Sequence, residues 1–196
     1  IRADAPFKSI QDVQKSGGRP LLLGALAAGG TDTDISLIAR DVFKLNAQIV
    51  RGYSSAEVNL AIQRGEVEGR AIGISSLANT MTEWPRQGKL RFLMQFGHET
   101  RWKGLPDVPT ARELAPNERA RTLIELAEQS YIMSRPFAAP PGVPEDRARA
   151  LQAAFMAVQK DAGYLAEAAR LKVDISPIGP AEVEALLARI SAAPEA

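Results

Sequence analysis

The chain has no cysteine, one histidine and no excess of charge of either sign, and each shortage closes off a class of function. Without cysteine there are no disulfides, no thiolate metal sites and no cysteine nucleophile, although either a reducing or an oxidising compartment stays open. The lone imidazole, His98 in the charged "GHET" stretch, has no second histidine to complete a metal site or a proton relay, and it reads as a solvated loop residue. Twenty-four basic side chains against twenty-three acidic ones leave a net charge of +1, so no global field draws the protein to nucleic acid or to an anionic membrane. No run approaches the roughly eighteen apolar residues that span a bilayer, and the opening "IRADAPFKSI" has neither the basic start nor the apolar core of a signal peptide. What is present is an ordinary globular composition: 45% hydrophobic residues in a chain of 196 suffice for one sizeable domain or two small lobes.

Strand and helix signals alternate along the first half. Ser9 and Asp12 form a carboxylate variant of the capping box for a helix that "SGG" stops by Gly17. "RPLLLGAL" is a short buried strand, and after the "GGTDTDI" turn the apolar residues Ile35, Leu37, Ile38, Val42 and Leu45 follow helical spacing. "AQIVRGY" predicts a second strand. Ser54 and Glu57 cap a helix whose Val58, Ala61 and Ile62 share a face and which Gly65 ends. "EGRAIGI", "SSLANTM" and "KLRFLMQF" predict a strand, a short helix and a fourth strand. This alternation argues for an α/β fold with a mainly parallel sheet flanked by helices. "HETRWKGLPDVPT" is a loop, Thr110 caps "AREL", "NERARTLIELAEQ" is helical, and "YIMSRPFAAPPGVP" is extended up to a bend at Pro140 to Pro144. From there the chain is helical, with Ala148, Leu151, Ala154, Phe155 and Val158 along one stripe, a shorter helix at "GYLAEAARL" and a last one at "GPAEVEALLARI".

The inventory of reactive groups is short. The serine pairs Ser54, Ser55 and Ser75, Ser76 lie outside any nucleophile-elbow setting, and helix capping explains them. "GALAAGG" fails the dinucleotide fingerprint, no lysine completes a phosphate loop, and "DTD" alone is a weak cation site, so no cofactor and no metal are expected. What recurs is a hydroxyl-rich helix start directly after the carboxyl end of a strand. Gly30, Thr31, Asp32 and Thr33 follow the first strand, Tyr53, Ser54 and Ser55 the second, and Ser75 and Ser76 the third. In an open parallel sheet these ends lie side by side, and free amides with the positive helix dipole end favour carboxylates or phosphates there. Asp32 and Asp34 either compete with an anion, which favours a ligand carrying an ammonium, or point away as caps. Arg70 either donates to a ligand carboxylate or pairs with a neighbour such as Glu68 or Asp41.

Several stretches, in order, carry a resemblance: "APFKSIQDV", the glycine and hydroxyl turn before "IARDVFK", "IVRGYSSAEVNLAIQRGEVEG", "GKLRFLMQF", "LPDVPTARELA" and "RPFAAPPGVPEDRARALQAAFMAV". Together they resemble the tripartite tricarboxylate transporter receptors, the extracytoplasmic TctC or Bug solute-binding proteins, over nearly the whole chain. The resemblance implies a two-lobed periplasmic-binding-protein-like fold that captures a small organic carboxylate or amino acid and delivers it to membrane subunits of a transporter, with no chemistry and a periplasmic location. Members of the family are longer, and their N-terminal part has no counterpart before Ile1. On this resemblance, residues 1–138 are the second lobe and residues 139–196 are helices returning to a truncated first lobe, exposing apolar surface that suits a homodimer. The competing classes are an α/β enzyme such as a hydrolase, for which only His98 or a carboxylate such as Glu66 or Glu68 offers a base, and a scaffold lobe with protein contacts alone.

Overall fold

The computed structural model describes residues 1–192 apart from positions 98, 134, 172 and 174 and the side chain of Ser130. It divides into two compact units, Ile1–Glu128 and Gln129–Ala196.

In the first unit, strands β1 (Leu21–Gly24) and β2 (Ala47–Val50) pair in parallel, with Leu21 opposite Ala47 and Gly24 opposite Val50. A parallel pair needs a crossover, and α2 (Thr31–Val42) supplies it. The third and fourth expected strands are instead extended segments held by isolated bridges. Leu23 bridges Gly69 in parallel, with Glu68 N donating to Leu22 O at 2.9 Å and Gly24 N to Gly69 O at 2.8 Å. This ladder stops there, and residues 70–73 lead without regular structure into the next helix. On its outer side lie the first residues of the chain: Arg2 N donates to Glu68 O, Ala3 N to Lys89 O and Arg91 N to Ile1 O, each at 2.8 Å. "KLRFLMQF" therefore joins through an antiparallel bridge between Arg2 and Leu90 and a parallel one between Gln95 and Thr110.

Helices cover both faces of this sheet. On one face, α1 (Ile10–Lys15) and α2 contribute Ile10, Val13 and Ala39 to a core with Phe7, Phe43, Leu45 and Ile124. On the other, α3 (Ser55–Arg64) and α4 (Ile74–Thr80) bring Val58, Ala61, Ile62 and Leu77 together with Val67 and Met81. Leu21 and Leu23 belong to the first cluster and Leu22 to the second, the period-two alternation of a strand buried on both faces. The close approach of α3 to β1 requires Gly24, where a Cβ would collide with Val58. Short helices α5 (Glu83–Arg86) and α6 (Ala111–Leu114) precede α7 (Glu118–Ile132). Helix α7 continues through Tyr131 and Ile132, where the sequence suggested extended chain, since no breaker intervenes before Pro136.

The second unit contains α8 (Glu145–Val158), α9 (Ala162–Arg170) and α10 (Pro180–Ser191). Phe137 and Phe155 stack as tilted rings with centroids 4.9 Å apart, and Ala168 and Leu186 are buried. Of the expected α8 stripe, Phe155 and Ala148 are half-buried, whereas Leu151, Ala154 and Val158 are exposed.

Candidate functional site

The carboxyl ends of β1, β2 and the Gly69 segment are stitched into one edge. Gly24 N reaches Gly69 O, Ala25 N reaches Val50 O at 2.8 Å, and Tyr53 N reaches Ala25 O at 3.3 Å. The chain then turns from β1 into α2, from β2 into α3 and from the Gly69 segment into α4, so three helix starts each follow one of these carboxyl ends.

At the start of α2, Gly29 takes a left-handed φ of 78°, which lets the chain turn sharply off the strand, and Gly30 is the N-cap without any side-chain cap bond. Thr31 is exposed. Thr33 is fully buried, and its hydroxyl donates to Ala27 O at 3.0 Å, so it fastens the turn to the helix. The Asp32 carboxylate folds back to accept from Leu26 N at 3.3 Å and from Arg70 Nη2 at 3.1 Å. At the start of α3, Ser54 and Glu57 form a reciprocal capping box. Ser55 is exposed at the next position, and Tyr53 is half-buried against the second apolar cluster. At α4, Gly73 is an N-cap with no side-chain bond, Ser75 is half-buried and Ser76 exposed.

Arg70 ties the starts of α2 and α3 together. Its Nη1 lies 3.4 Å from both the carbonyl and the hydroxyl oxygen of Ser55 and 3.2 Å from Asn59 Oδ1, while Nε donates to Ala71 O at 3.2 Å. The ion pair is enclosed, with 7% of the Arg70 side chain and 10% of that of Asp32 exposed. Burial pulls the guanidinium below the ordinary arginine value, and the neighbouring Asp32 charge opposes that shift. Its carboxylate partner is thus Asp32 rather than Glu68 or Asp41. Glu68 is engaged elsewhere, accepting from Leu22 N at 2.7 Å and from Arg19, and exposed Glu66 pairs with Arg64 at 3.7 Å. His98 lies outside the described residues. Among the described residues, no group of three or more histidine or acidic side chains is arranged to hold a metal ion. Asn59 escaped the sequence reading, because a helix-interior amide carries no local signal of an arginine eleven residues away in the chain.

No family model matches the chain, and no curated protein matches it at significance. Solved structures do. A TctC solute-binding protein from Polaromonas, crystallised without ligand, superposes with a TM-score of 0.70 at 18% identity, over 98% of this chain and 62% of that one. An R. palustris protein solved with adipate gives a TM-score of 0.60 at 17% identity, over 97% of this chain and 60% of its own length. The chain has the fold of the TctC solute-binding proteins. The α/β, periplasmic-binding-protein-like architecture expected from the sequence is the architecture observed, and the chain spans 62% and 60% of the length of these two neighbours. Among the described residues no helix is long and apolar enough to cross a membrane.

Proposed function

We propose that this chain is part of an extracytoplasmic receptor that captures a small organic carboxylate and presents it to the membrane subunits of a tripartite tricarboxylate-type transporter, in the periplasm, without chemical conversion. The observation that carries this reading is the succession of three helix starts after the carboxyl ends of the paired strands and the Gly69 segment, two of them uncapped by side chains, in a fold shared with a solute-binding protein and with a protein solved with adipate. Residues Gly30 to Thr33, Tyr53 to Ser55 and Ser75 to Ser76 form the proposed binding edge, with backbone amides as the donors. Because the neighbours are longer, we assign residues 1–138 to one lobe and residues 139–196 to helices of the other, with the remaining length of a neighbour-sized protein supplying the second wall of the cleft. A ligand held by one wall stays largely wet, so the chain by itself binds carboxylates more weakly than micromolar.

An enzyme using the same edge needs a general base within reach of a reacting atom. Glu68 is consumed by Leu22 N and Arg19, and Glu66 is a solvated surface group, which favours binding over catalysis. A thermal-shift panel of mono-, di- and tricarboxylates and amino acids tests the reading. Stabilisation by one class supports it, whereas hydrolysis of ester or phosphate substrates without such stabilisation supports the enzyme. In a protein carrying both walls, Tyr53→Ala is expected to weaken ligand binding and His98→Ala to leave it unchanged; the reverse pattern moves the site away from this edge.

A further inference from the structure

Arg70 lies between the starts of α2 and α3, and its donors are directed at protein acceptors. Nη2 faces Asp32, Nη1 faces Ser55 and Asn59, and Nε faces Ala71 O. The Asp32 carboxylate sits in the first turn of α2, also held by Leu26 N, and it occupies with an internal anion the neighbourhood in which an external one would settle. Asp34, half-buried in the same turn, adds a second negative charge. An incoming carboxylate at this edge therefore meets two acidic side chains and a guanidinium that is already neutralised. The pair is nearly sealed from water, with 7% and 10% exposure, so screening weakens these terms less than at an open surface.

We propose that Asp32, through its pair with Arg70, sets the charge class of the ligand: the edge disfavours molecules with a carboxylate at both ends and favours those that combine one carboxylate with an ammonium group, as an amino acid does. This rests on the reading of the strand-end edge as the binding site. Selection of this kind works by repulsion as much as by attraction, because an added like charge near a partly desolvated carboxylate changes affinity by about tenfold or more.

The test compares adipate with ε-aminocaproate, which has the same number of carbons but ends in an ammonium. Both are titrated at millimolar concentration into the wild-type chain, Asp32→Asn, Arg70→Met and the double variant, with binding followed by amide chemical shifts and folding by circular dichroism. The wild type is expected to favour ε-aminocaproate. Asp32→Asn frees the guanidinium and moves the preference toward adipate by about tenfold or more, and the double variant loses that gain. Because Asp32→Asn leaves a buried cation unpaired, Arg70→Met carries the reciprocal test should the first variant fail to fold: freeing Asp32 deepens the preference for ε-aminocaproate. A wild type that favours adipate, or a ratio unchanged in the folded variants, overturns the proposal while leaving the edge a binding site. Folded wild type and variants that bind neither ligand overturn the edge assignment as well.

Discussion

Glu128 shows how much of the first unit depends on single side chains. It is fully buried, accepts from Arg112 Nε at 2.5 Å and from Gly97 N at 3.0 Å, and so pins α6 and the stretch after Gln95 to α7. Removing one member of a buried pair strands the other charge, so Glu128→Ala should lower stability by about 3–5 kcal/mol in urea denaturation; a loss under about 1 kcal/mol contradicts this role. Gly24 makes a different demand. A methyl group there meets Val58 and lies 3.2 Å from Val67, so Gly24→Ala should cost about 1–3 kcal/mol by overpacking, read as a lowered urea midpoint. At this scale the sequence shows residue types but not their partners. Ser54 and Glu57 were legible because the two members of a capping box lie only three positions apart. The pairing of Asp32 with Arg70 was not, since the two are thirty-eight residues apart and only the sheet edge brings them together. The buried hydroxyl of Thr33 was equally silent, because a threonine in a helix start reads the same whether it faces in or out.

Helix starts are the elements on which both fold and site depend. Asp12, Glu57 and Glu113 each close a capping box, and each carboxyl is held below its usual range. For Asp12 the chief cause is the backbone N–H of Lys8, for Glu57 that of Ser54, and for Glu113 the Arg101 guanidinium. A lowered carboxyl contributes stability that is present above the unfolded-state pKa and is lost as pH falls through the folded one. The urea midpoint of the first unit should therefore fall as pH is taken from 6 to 3, a range spanning ordinary carboxyl values, and the fall should be shallower in Glu57→Gln; an identical pH profile in that variant contradicts the cap's contribution. The alternation of helix and strand was legible in the sequence through periodicity. The third and fourth strands were overread, because apolar periodicity reports burial in an extended segment and not whether a neighbour offers it a continuous ladder. Here Ile1 to Ala3 take that neighbouring place, an insertion with no signal in residues 66–96.

On the scale of the whole molecule, the second unit presents Leu151 at 60%, Leu187 at 51% and Phe137 at 82% exposure. Covering apolar surface yields about 25 cal/mol per Å² before association costs, so a patch of several hundred Å² is enough to favour self-association. Sedimentation at high protein concentration should show a dimer, and a strictly monomeric profile contradicts it. The α/β class was legible from the order of elements, whereas the division into compact units lies inside α7, where a continuous helical pattern carries no signal of it. The central claim is that these strand ends bind a small carboxylate through helix-start amides. It is tested most directly by following backbone amide resonances of the chain during titration with carboxylates at millimolar concentration. The account predicts saturable shifts concentrated at Thr31 to Thr33, Tyr53 to Ser55 and Ser75 to Ser76, and shifts confined to other regions, or none for any carboxylate or amino acid, would contradict it.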